Sequence, residues 1–303
     1  MNSRGEMYQK NIFIKLLAVI FLIFSLPCSF AKEISRELNY DGLFSEKNWK
    51  IVADGVEIKE IALHRPDWYG IGLRKEDVEK ETGFIDRVQK VNIKILRIDP
   101  KNTVLRLVYC HDYGEKMGAD IRDLVKKSGA IGAVTGGYYD YEKDKKSLKP
   151  VGILTADGRE ISKWLAGING VFLVKKDRTA EIIYKENYKK SPDILQAVQA
   201  GPVLVKDGEI RIDKPSVFNE FKLLPRTAIG LTKEKKILML ASETGFNGLS
   251  LYELAEVMKR LGCNDSLNLD GGPSAQMFFG NKNIELYVKG AGKIINAIGI
   301  FQR

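Results

Sequence analysis

The sequence predicts an α+β fold: a mixed, largely antiparallel sheet with a few helices, forming a single main domain. Many short apolar runs alternate with turn residues such as Lys206-Asp207-Gly208, a pattern typical of strands joined in hairpins. Only two segments, near residues 120–127 and 251–261, place apolar residues at helical spacing. Because strands outnumber helices and follow one another along the chain, antiparallel pairing is favoured.

The first 31 residues have the pattern of a signal peptide. A basic segment precedes an apolar run over residues 16–26, and Ser29-Phe30-Ala31 supplies small residues for a cleavage site. Because this run is short for a bilayer span, we expect cleavage after Ala31 and no stable membrane span afterwards. The protein would then be exported, either periplasmic or secreted. An uncleaved anchor and lipidation at Cys28 are the alternatives.

The rest of the chain divides near residue 90. Residues 32–90 are charged and less regular, with a possible strand over residues 55–63, and we expect an N-terminal segment or small lobe there. Residues 91–303 carry the regular strand pattern and form the predicted main domain.

Turn residues separate the elements of the main domain. Residues 99–102 predict a hairpin between two apolar strands, and residues 131–135 a buried strand. The helix near residues 251–261 begins at a capping box of Ser250 and Glu253 and stops at Gly262. Four further hairpins are expected, with turns at residues 156–158, 176–178, 206–208 and 232–235.

The charge pattern argues against a nucleic-acid partner. The chain has 303 residues and a net charge of +9. Its lysines fall in scattered pairs such as Lys126-Lys127 and Lys189-Lys190, which indicates a solvated surface and not one binding stripe. The sequence leaves the oligomeric state open.

Two cysteines, Cys110 and Cys263, follow the predicted signal peptide. An exported protein could pair them in a disulfide, or both could be small buried hydrophobic residues. Their spacing, and that of His64 and His111, does not fit a zinc site.

The most informative segment is Asn268-Leu269-Asp270-Gly271-Gly272-Pro273-Ser274. A short apolar strand delivers one carboxylate, Asp270, into two glycines. Glycine allows positive φ and lets backbone N–H groups approach a ligand. Ligands favour such strand ends in α/β architectures, so this segment predicts a functional site.

Three other segments end or begin strands in unusual residues. They are Thr135-Gly136-Gly137-Tyr138-Tyr139-Asp140, Gln199-Ala200-Gly201-Pro202 and Pro225-Arg226-Thr227-Ala228-Ile229-Gly230. Taken singly, each also fits a bulge, a turn or a salt-bridged strand residue.

Together, the four segments resemble the phosphodiester glycosidase family. The resemblance covers residues 90–303 and implies a mixed α/β domain with a cleft built from these motifs. Three positions depart from the family pattern: Thr135 stands where Asn is usual, Pro273 replaces a third glycine, and Ser242-Glu243-Thr244-Gly245 lacks the Asp-Gly-Arg of many members.

The resemblance and the residue chemistry suggest hydrolysis of a sugar-1-phosphodiester or a related envelope glycan. The phosphate monoester is a good leaving group, so one carboxylate and one cation could suffice where ordinary glycosidases use two carboxylates. We assign Asp270 as nucleophile or base, Arg226 as the phosphate ligand, and Glu243 as a second acid, with Asp140 as another candidate. Residues expected to bind substrate, through backbone N–H groups or side chains, are Gly136, Gly137, Tyr138, Gln199, Thr227, Asn268, Gly271, Gly272 and Ser274.

Two other interpretations remain at this stage. The chain could be a non-catalytic glycan-binding or exopolysaccharide-assembly protein on the same scaffold, which the missing Asp-Gly-Arg favours. Ser266, Asn268, Asp270 and Gly271 also fit early positions of a calcium loop, but Met277 stands where its bidentate Glu should be. We therefore expect no required cofactor, with a divalent cation such as calcium as the alternative.

Overall fold

A computed structural model describes residues 41–64, 90–212, 223–243 and 248–303. The predicted signal peptide lies outside the described residues. The helices are α1 (Asp41–Phe44), α2 (Ile121–Ser128) and α3 (Leu251–Arg260). The first ten strands are β1 (Lys50–Ala53), β2 (Val56–His64), β3 (Lys90–Ile98), β4 (Thr103–Tyr109), β5 (Gly132–Thr135), β6 (Tyr139–Tyr141), β7 (Leu148–Pro150), β8 (Leu154–Ala156), β9 (Arg159–Ser162) and β10 (Gly170–Lys175). The others are β11 (Ala180–Tyr184), β12 (Ile194–Ala200), β13 (Val203–Lys206), β14 (Glu209–Ile210), β15 (Thr227–Thr232), β16 (Ile237–Ser242), β17 (Cys263–Asn268), β18 (Met277–Gly280), β19 (Glu285–Val288) and β20 (Asn296–Gln302).

The strands form one large sheet and three smaller ones. The large sheet has the order β1-β2-β3-β16-β15-β17-β13-β14. Two five-stranded sheets run β11-β10-β12-β8-β9 and β19-β18-β5-β20-β4, and β6 pairs with β7. Every strand pair in the described ranges is antiparallel. The predicted largely antiparallel sheet with few helices is confirmed.

The eight-stranded sheet is buried on both faces. Alternate residues of β3 point to opposite sides, so that Ile95 packs in the cluster with α3 while Leu96 joins the core shared with the two five-stranded sheets. Leu240 and Met239 of β16 divide in the same way. This double burial explains why the central strands are continuous apolar runs.

Local turn chemistry places most of the hairpins where the sequence predicts them. The pairs β8–β9, β10–β11, β13–β14 and β15–β16 are all antiparallel neighbours. Asp207 and Gly208, in the β13–β14 turn, adopt positive φ angles of 55° and 79°, which Asp tolerates and Gly favours.

The expected hairpin at residues 99–102 is wrong. Both edges of β3 are occupied, by β2 on one side and β16 on the other. No edge of β3 is left for β4, which instead pairs with β20 in another sheet. The turn at residues 99–102 therefore carries the chain between sheets.

The two predicted helices are confirmed, and their ends follow from side-chain caps. The Asp120 carboxylate accepts from the N–H of Arg122 at 2.8 Å at the start of α2. At α3, the Ser250 hydroxyl accepts from the N–H of Glu253 at 3.1 Å, and the Glu253 carboxylate accepts from the N–H of Ser250 at 2.6 Å. This reciprocal pair is the predicted capping box.

The segment before residue 90 contributes two strands to the large sheet. β2 pairs with β3 along its whole length, from Val56 beside Ile98 to His64 beside Lys90, and β1 pairs with β2. The predicted strand over residues 55–63 is confirmed as β2. None of the helices in the described ranges is long and apolar enough to cross a bilayer.

The two cysteines are unpaired and buried. Cys110 follows β4, and Cys263 begins β17. Burial raises the pKa of the Cys110 thiol to about 12 and raises that of Cys263 as well. Of the two expectations, the structure therefore supports small buried hydrophobic residues and not a disulfide.

Candidate active site

The candidate site lies at the end of the eight-stranded sheet where β15 begins and β17 ends. Antiparallel pairing places Ala228 beside Asn268. Arg226 precedes β15, and Asp270 follows β17, so the register brings both to the same end of the sheet.

Backbone contacts join the segment after β17 to the residues before β15. The N–H of Gly272 donates to the carbonyl of Pro225 at 2.7 Å. A Cβ at Gly271 would lie only 2.9 Å from that carbonyl oxygen and 3.6 Å from Cα of Arg226. Glycine is needed at 271 because a side chain there would push the two segments apart.

The Asp270 carboxylate is partly buried and already has protein donors. It accepts hydrogen bonds from the Ser274 hydroxyl and the Gly271 N–H. Burial raises the pKa of Asp270 to about 6, and the two hydrogen bonds oppose that rise. Its backbone N–H donates to the Gly136 carbonyl at 3.0 Å, and the Thr227 hydroxyl donates to its carbonyl at 2.5 Å. The carboxylate is mostly ionised at neutral pH and is a stronger base than an ordinary aspartate.

Arg226 presents a half-buried cation at the same sheet end. Its Nε donates to the carbonyl of Leu249 at 2.9 Å, and its backbone N–H donates to the Ser242 hydroxyl at 2.8 Å. Burial lowers the pKa of the guanidinium, while interactions with Tyr138 and Glu253 raise it. An arginine side chain starts so far above neutrality that it stays charged.

Tyr138 connects the first motif to the second and the last. Its hydroxyl donates to the carbonyl of Gly201 at 2.5 Å and accepts from Nδ2 of Asn268 at 3.1 Å. The same Nδ2 donates to the Gly201 carbonyl at 2.7 Å. Burial raises the pKa of Tyr138, and the negative charge of Asp270 raises it further. Segments far apart in the sequence thus meet around Asp270 and Arg226.

Asn296, on β20, clamps the Gly136-Gly137 turn and was not predicted. Its Oδ1 accepts from the Gly137 N–H at 2.7 Å, and its Nδ2 donates to the Gly137 carbonyl at 3.2 Å. Its backbone carbonyl accepts from the Gly136 N–H at 3.0 Å. A Cβ at Gly136 would lie 2.0 Å from Oδ1 of Asn296. An amide at the start of the apolar strand β20 was the sequence signal for this role.

The four motif glycines shape the site, and their N–H groups already have partners. Asn296 accepts from Gly136 and Gly137, the Asp270 carboxylate accepts from Gly271, and Pro225 accepts from Gly272. These N–H groups therefore donate to acceptors within the protein, which differs from their predicted role as donors to a bound anion.

Gln199 also has a structural role in place of the predicted sugar contact. Its side chain is completely buried. Its Nε2 donates to the carbonyls of Leu165 and Ile168, both at 2.7 Å. Its Oε1 accepts from the N–H groups of Ile153 and Leu165 at 3.1 and 3.0 Å. These four bonds occupy both donors and both lone pairs of the amide.

The two candidate second acids point to other partners. Glu243 follows β16, and its carboxylate accepts from Nδ2 of Asn92 at 2.9 Å and lies 3.3 Å from Nζ of Lys94. Both partners are on β3, across β16 from β15 and β17. Asp140 is exposed, and its carboxylate accepts from the N–H of Tyr141 at 2.7 Å.

The sequence also matches a known protein family. The family model for phosphodiester glycosidases matches residues 128–301, more than half of the chain. The chain belongs to the phosphodiester glycosidase family. This confirms the resemblance carried by the four motifs.

Individual relatives are distant. The N-acetylglucosamine-1-phosphodiester alpha-N-acetylglucosaminidase of Bos taurus is 25% identical over 178 residues, which cover 53% of this chain and 33% of that protein. The mouse protein of the same name covers similar shares at 26% identity. The chain thus spans about a third of the length of these curated relatives. The Escherichia coli protein YigE is 26% identical over 195 residues, covering 60% of this chain and 72% of its own length.

Solved structures share the fold. The catalytic domain of the zebrafish N-acetylglucosamine-1-phosphodiester alpha-N-acetylglucosaminidase superposes with a TM-score of 0.61 at 17% identity, covering 84% of this chain and 86% of that one. A hypothetical protein from Synechocystis gives a TM-score of 0.55 at 14% identity, covering 83% of this chain and 63% of that one.

Local bonds hold two of the residues that depart from the family pattern. The hydroxyl of Thr135 donates to the carbonyl of Ser274 at 2.7 Å and accepts from the N–H of Gln276 at 3.1 Å, which fastens β5 to the motif loop. The carbonyl of Pro273 accepts from the N–H of Gly292 at 2.7 Å.

The calcium-loop interpretation does not fit the backbone. Ser266 and Asn268 lie in strand β17 and not in a loop that could wrap around an ion. Across the described ranges, no group of three or more His, Cys, Asp or Glu residues could hold a metal.

Proposed function

We propose that the chain hydrolyses the glycosidic bond of a sugar-1-phosphodiester. The observation that carries this proposal is the placement of Asp270 and Arg226 at one end of the large sheet, the carboxylate with a pKa raised to about 6. Membership of the family and the names of its mammalian relatives support it. A base and a permanent cation are the two groups that we propose suffice for this reaction.

The two residues have separate roles in the proposed reaction. Arg226 binds the phosphate oxygens, because its planar guanidinium matches them. Asp270 either attacks the anomeric carbon itself or takes the proton of an attacking water. In either case the bond from the anomeric carbon to the phosphate oxygen breaks, and its electron pair leaves with the phosphate monoester. If Asp270 attacks, a water then hydrolyses the bond between the sugar and the carboxylate, which releases the sugar and restores the carboxylate. Arg226 balances the negative charge that develops on that group.

The surrounding residues position these groups. Ser274 and Gly271 orient the Asp270 carboxylate, and Thr227 holds its backbone. Tyr138 is close enough to Asp270 to feel its charge and is the side chain that we propose for a sugar hydroxyl, and the Asn268 amide positions it. Misplacing a reacting group by about 1 Å costs on the order of 10²-fold in rate, so the residues that hold Asp270 in place contribute to the rate.

We also propose where and on what the chain acts. The signal-peptide pattern of residues 1–31 supports an exported protein, periplasmic or secreted, and an envelope glycan is then the nearest substrate of this class. The proposed reaction uses no metal ion or other cofactor.

Hydrolysis of a panel of sugar-1-phosphodiesters tests this function. We expect turnover that survives a chelator and falls by about 10³-fold in Asp270→Asn, since general acid–base groups contribute about 10²–10⁴-fold. In the unmodified protein kcat/KM should decline below about pH 6, where Asp270 takes up a proton.

Glu243→Gln is the matched control, because its carboxylate contacts Asn92 and Lys94 on β3. We expect less than about a fivefold change in that variant, and a larger loss would make Glu243 the second acid. Glycan binding without turnover on any substrate would overturn the proposal in favour of a recognition protein. Loss of activity with the chelator would indicate a metal-dependent reaction.

A further inference from the structure

An exposed tryptophan and leucine stand side by side in the loop between β9 and β10. Trp164 is 65% exposed and Leu165 is 46% exposed. Single exposed apolar residues are common, whereas exposed apolar side chains that adjoin one another form the kind of surface that binding sites use.

The loop that carries Trp164 is fixed to the core by a buried amide. Gln199 bonds to both the N–H and the carbonyl of Leu165, the next residue, and to the carbonyl of Ile168. Three hydrogen bonds from one completely buried side chain hold this loop. A ring displayed on such a loop binds without the entropic cost of ordering the backbone.

Gln199, which holds this loop, is also close in sequence to the candidate active site. Gln199 is two residues before Gly201, whose carbonyl accepts from both Tyr138 and Asn268. At the other end of the loop, Oδ1 of Asn169 accepts from the N–H of Val203 at 3.0 Å. The displayed ring and the site are therefore joined through one short, bonded stretch of backbone.

We propose that Trp164 is a stacking platform for a second sugar ring of the substrate, next to the ring that is cleaved. The C–H groups on one face of a pyranose carry partial positive charge and pack on the negative face of an indole ring. Nζ of Lys185 lies over one face of this ring, 5.7 Å from its centroid, and 3.4 Å from the Glu186 carboxylate, so the sugar would pack on the opposite face.

This inference rests on the proposed function and narrows its substrate class. The substrate is then an oligosaccharide linked to phosphate and not a single sugar. Gln199 serves sugar binding indirectly, because its amide fixes the loop that carries the ring.

Two substrates of different length test the platform: the methyl phosphodiesters of N-acetylglucosamine and of its linear trisaccharide. In Trp164→Ala we expect KM for the trisaccharide to rise about tenfold, and KM for the monosaccharide to change less than twofold. Trp164→Phe should keep most of the affinity because it keeps an aromatic face. Ile51→Ala, which alters a still more exposed apolar residue on the outermost strand β1, should behave like the unmodified protein.

Binding measured by calorimetry on the Asp270→Asn background separates this inference from the proposed function. If no substrate is turned over, a tenfold weaker trisaccharide affinity in Asp270→Asn/Trp164→Ala still supports the platform. Equal effects on both substrates, or none on either, would overturn it. A change of oligomeric state in Trp164→Ala, measured by sedimentation, would overturn it too, since a second copy of the chain would then cover the ring.

Discussion

The two ends of the eight-stranded sheet are held by different kinds of contact. At the site end, bonds join residues far apart in sequence: Asn296 and Gly137 are 159 positions apart, and Thr135 and Ser274 are 139 apart. At the opposite end, short turns close the β13–β14 and β15–β16 hairpins. There, Lys235 adopts a φ of 65°, and its N–H donates to the carbonyl of Thr232 at 3.0 Å.

This difference predicts where a substitution should alter the activity of the protein and where it should alter only local stability. A turn residue bonds to its own neighbours, so replacing it disturbs one hairpin. A motif glycine at the site end contacts residues far away in the sequence, so replacing it should move the Asp270 carboxylate as well. The predictions that follow test this contrast, beginning with the largest expected effect.

Replacement of Arg226 should lower activity as much as replacement of Asp270. We expect kcat/KM to fall about 10³-fold in Arg226→Ala, because removing one preorganised donor to a developing anion costs about 10²–10³-fold and a charge is lost here too. Arg226→Lys should recover part of the loss, since it keeps the charge without the planar fork. Steady-state kinetics on a sugar-1-phosphodiester would measure both. Equal activity in the unmodified protein and both variants would show that Arg226 does not bind the phosphate.

Gly136→Ala should have the largest effect on stability. The new Cβ would lie 2.0 Å from Oδ1 of Asn296, which cannot retreat because it accepts from the Gly137 N–H. We expect a loss of about 2–3 kcal/mol in the free energy of unfolding, the usual cost of overpacking. Urea denaturation would measure it.

The control for this change is Gly42→Ala in α1, where a Cβ meets nothing within 4 Å. It should shift the free energy of unfolding by less than about 0.5 kcal/mol. Adding Asn296→Ala to Gly136→Ala should restore part of the lost stability. No recovery in the double variant would show that the clash lies elsewhere.

Most of the fold could be predicted because its signals are local. The α3 capping box and the Asp207-Gly208 turn need only neighbouring residues. The exit of β3 was mispredicted because it depends on β2 and β16, which already occupy both edges of that strand. No local pattern in residues 91–110 records that occupancy.

The segments that form the site could be predicted from the sequence, but the hydrogen bonds between them could not. The motifs indicated which segments meet, since each places glycine or charge at a strand end. They did not indicate that Asn296 would clamp Gly137, or that the Gln199 amide would be consumed by the loop at Leu165. Polar side chains in apolar strands have many possible partners, and only the three-dimensional arrangement selects among them.

Asp270→Asn should stabilise the protein at neutral pH while it removes activity. The folded state raises the pKa of Asp270 from 3.8 to about 6, so ionising the carboxylate opposes folding. This penalty is absent below about pH 4 and complete above about pH 6, where the shift corresponds to about 3 kcal/mol. Weaker hydrogen bonds from Ser274 and Gly271 to an amide should reduce the net gain to about 1–2 kcal/mol.

Urea denaturation at pH 7.5 and pH 4 would measure this difference. The expected gain in unfolding free energy appears at pH 7.5 and disappears at pH 4. The same gain at both values would mean that ionisation of Asp270 is not its cause. A stable but inactive variant would show that the ionised carboxylate at the site end lowers the free energy of unfolding while it supports activity. We expect no residue at the turn end to have this double effect.

The smallest effect is expected for Lys236→Ala, at the turn end. The Lys236 ammonium contacts the Asp99 carboxylate and is the main reason that the pKa of Asp99 is below its ordinary value. The lysine side chain is 37% exposed, so solvent screens the pair, and its loss should cost about 0.5 kcal/mol at neutral pH. This contribution fades as Asp99 takes up a proton in acid, and it weakens in 1 M salt, where the Debye length is about 3 Å. Thermal unfolding at two salt concentrations would measure it, together with kcat/KM, which should stay within twofold. A larger loss of activity would show that a turn contact is felt at Asp270, and the two ends of the sheet could no longer be treated as separate.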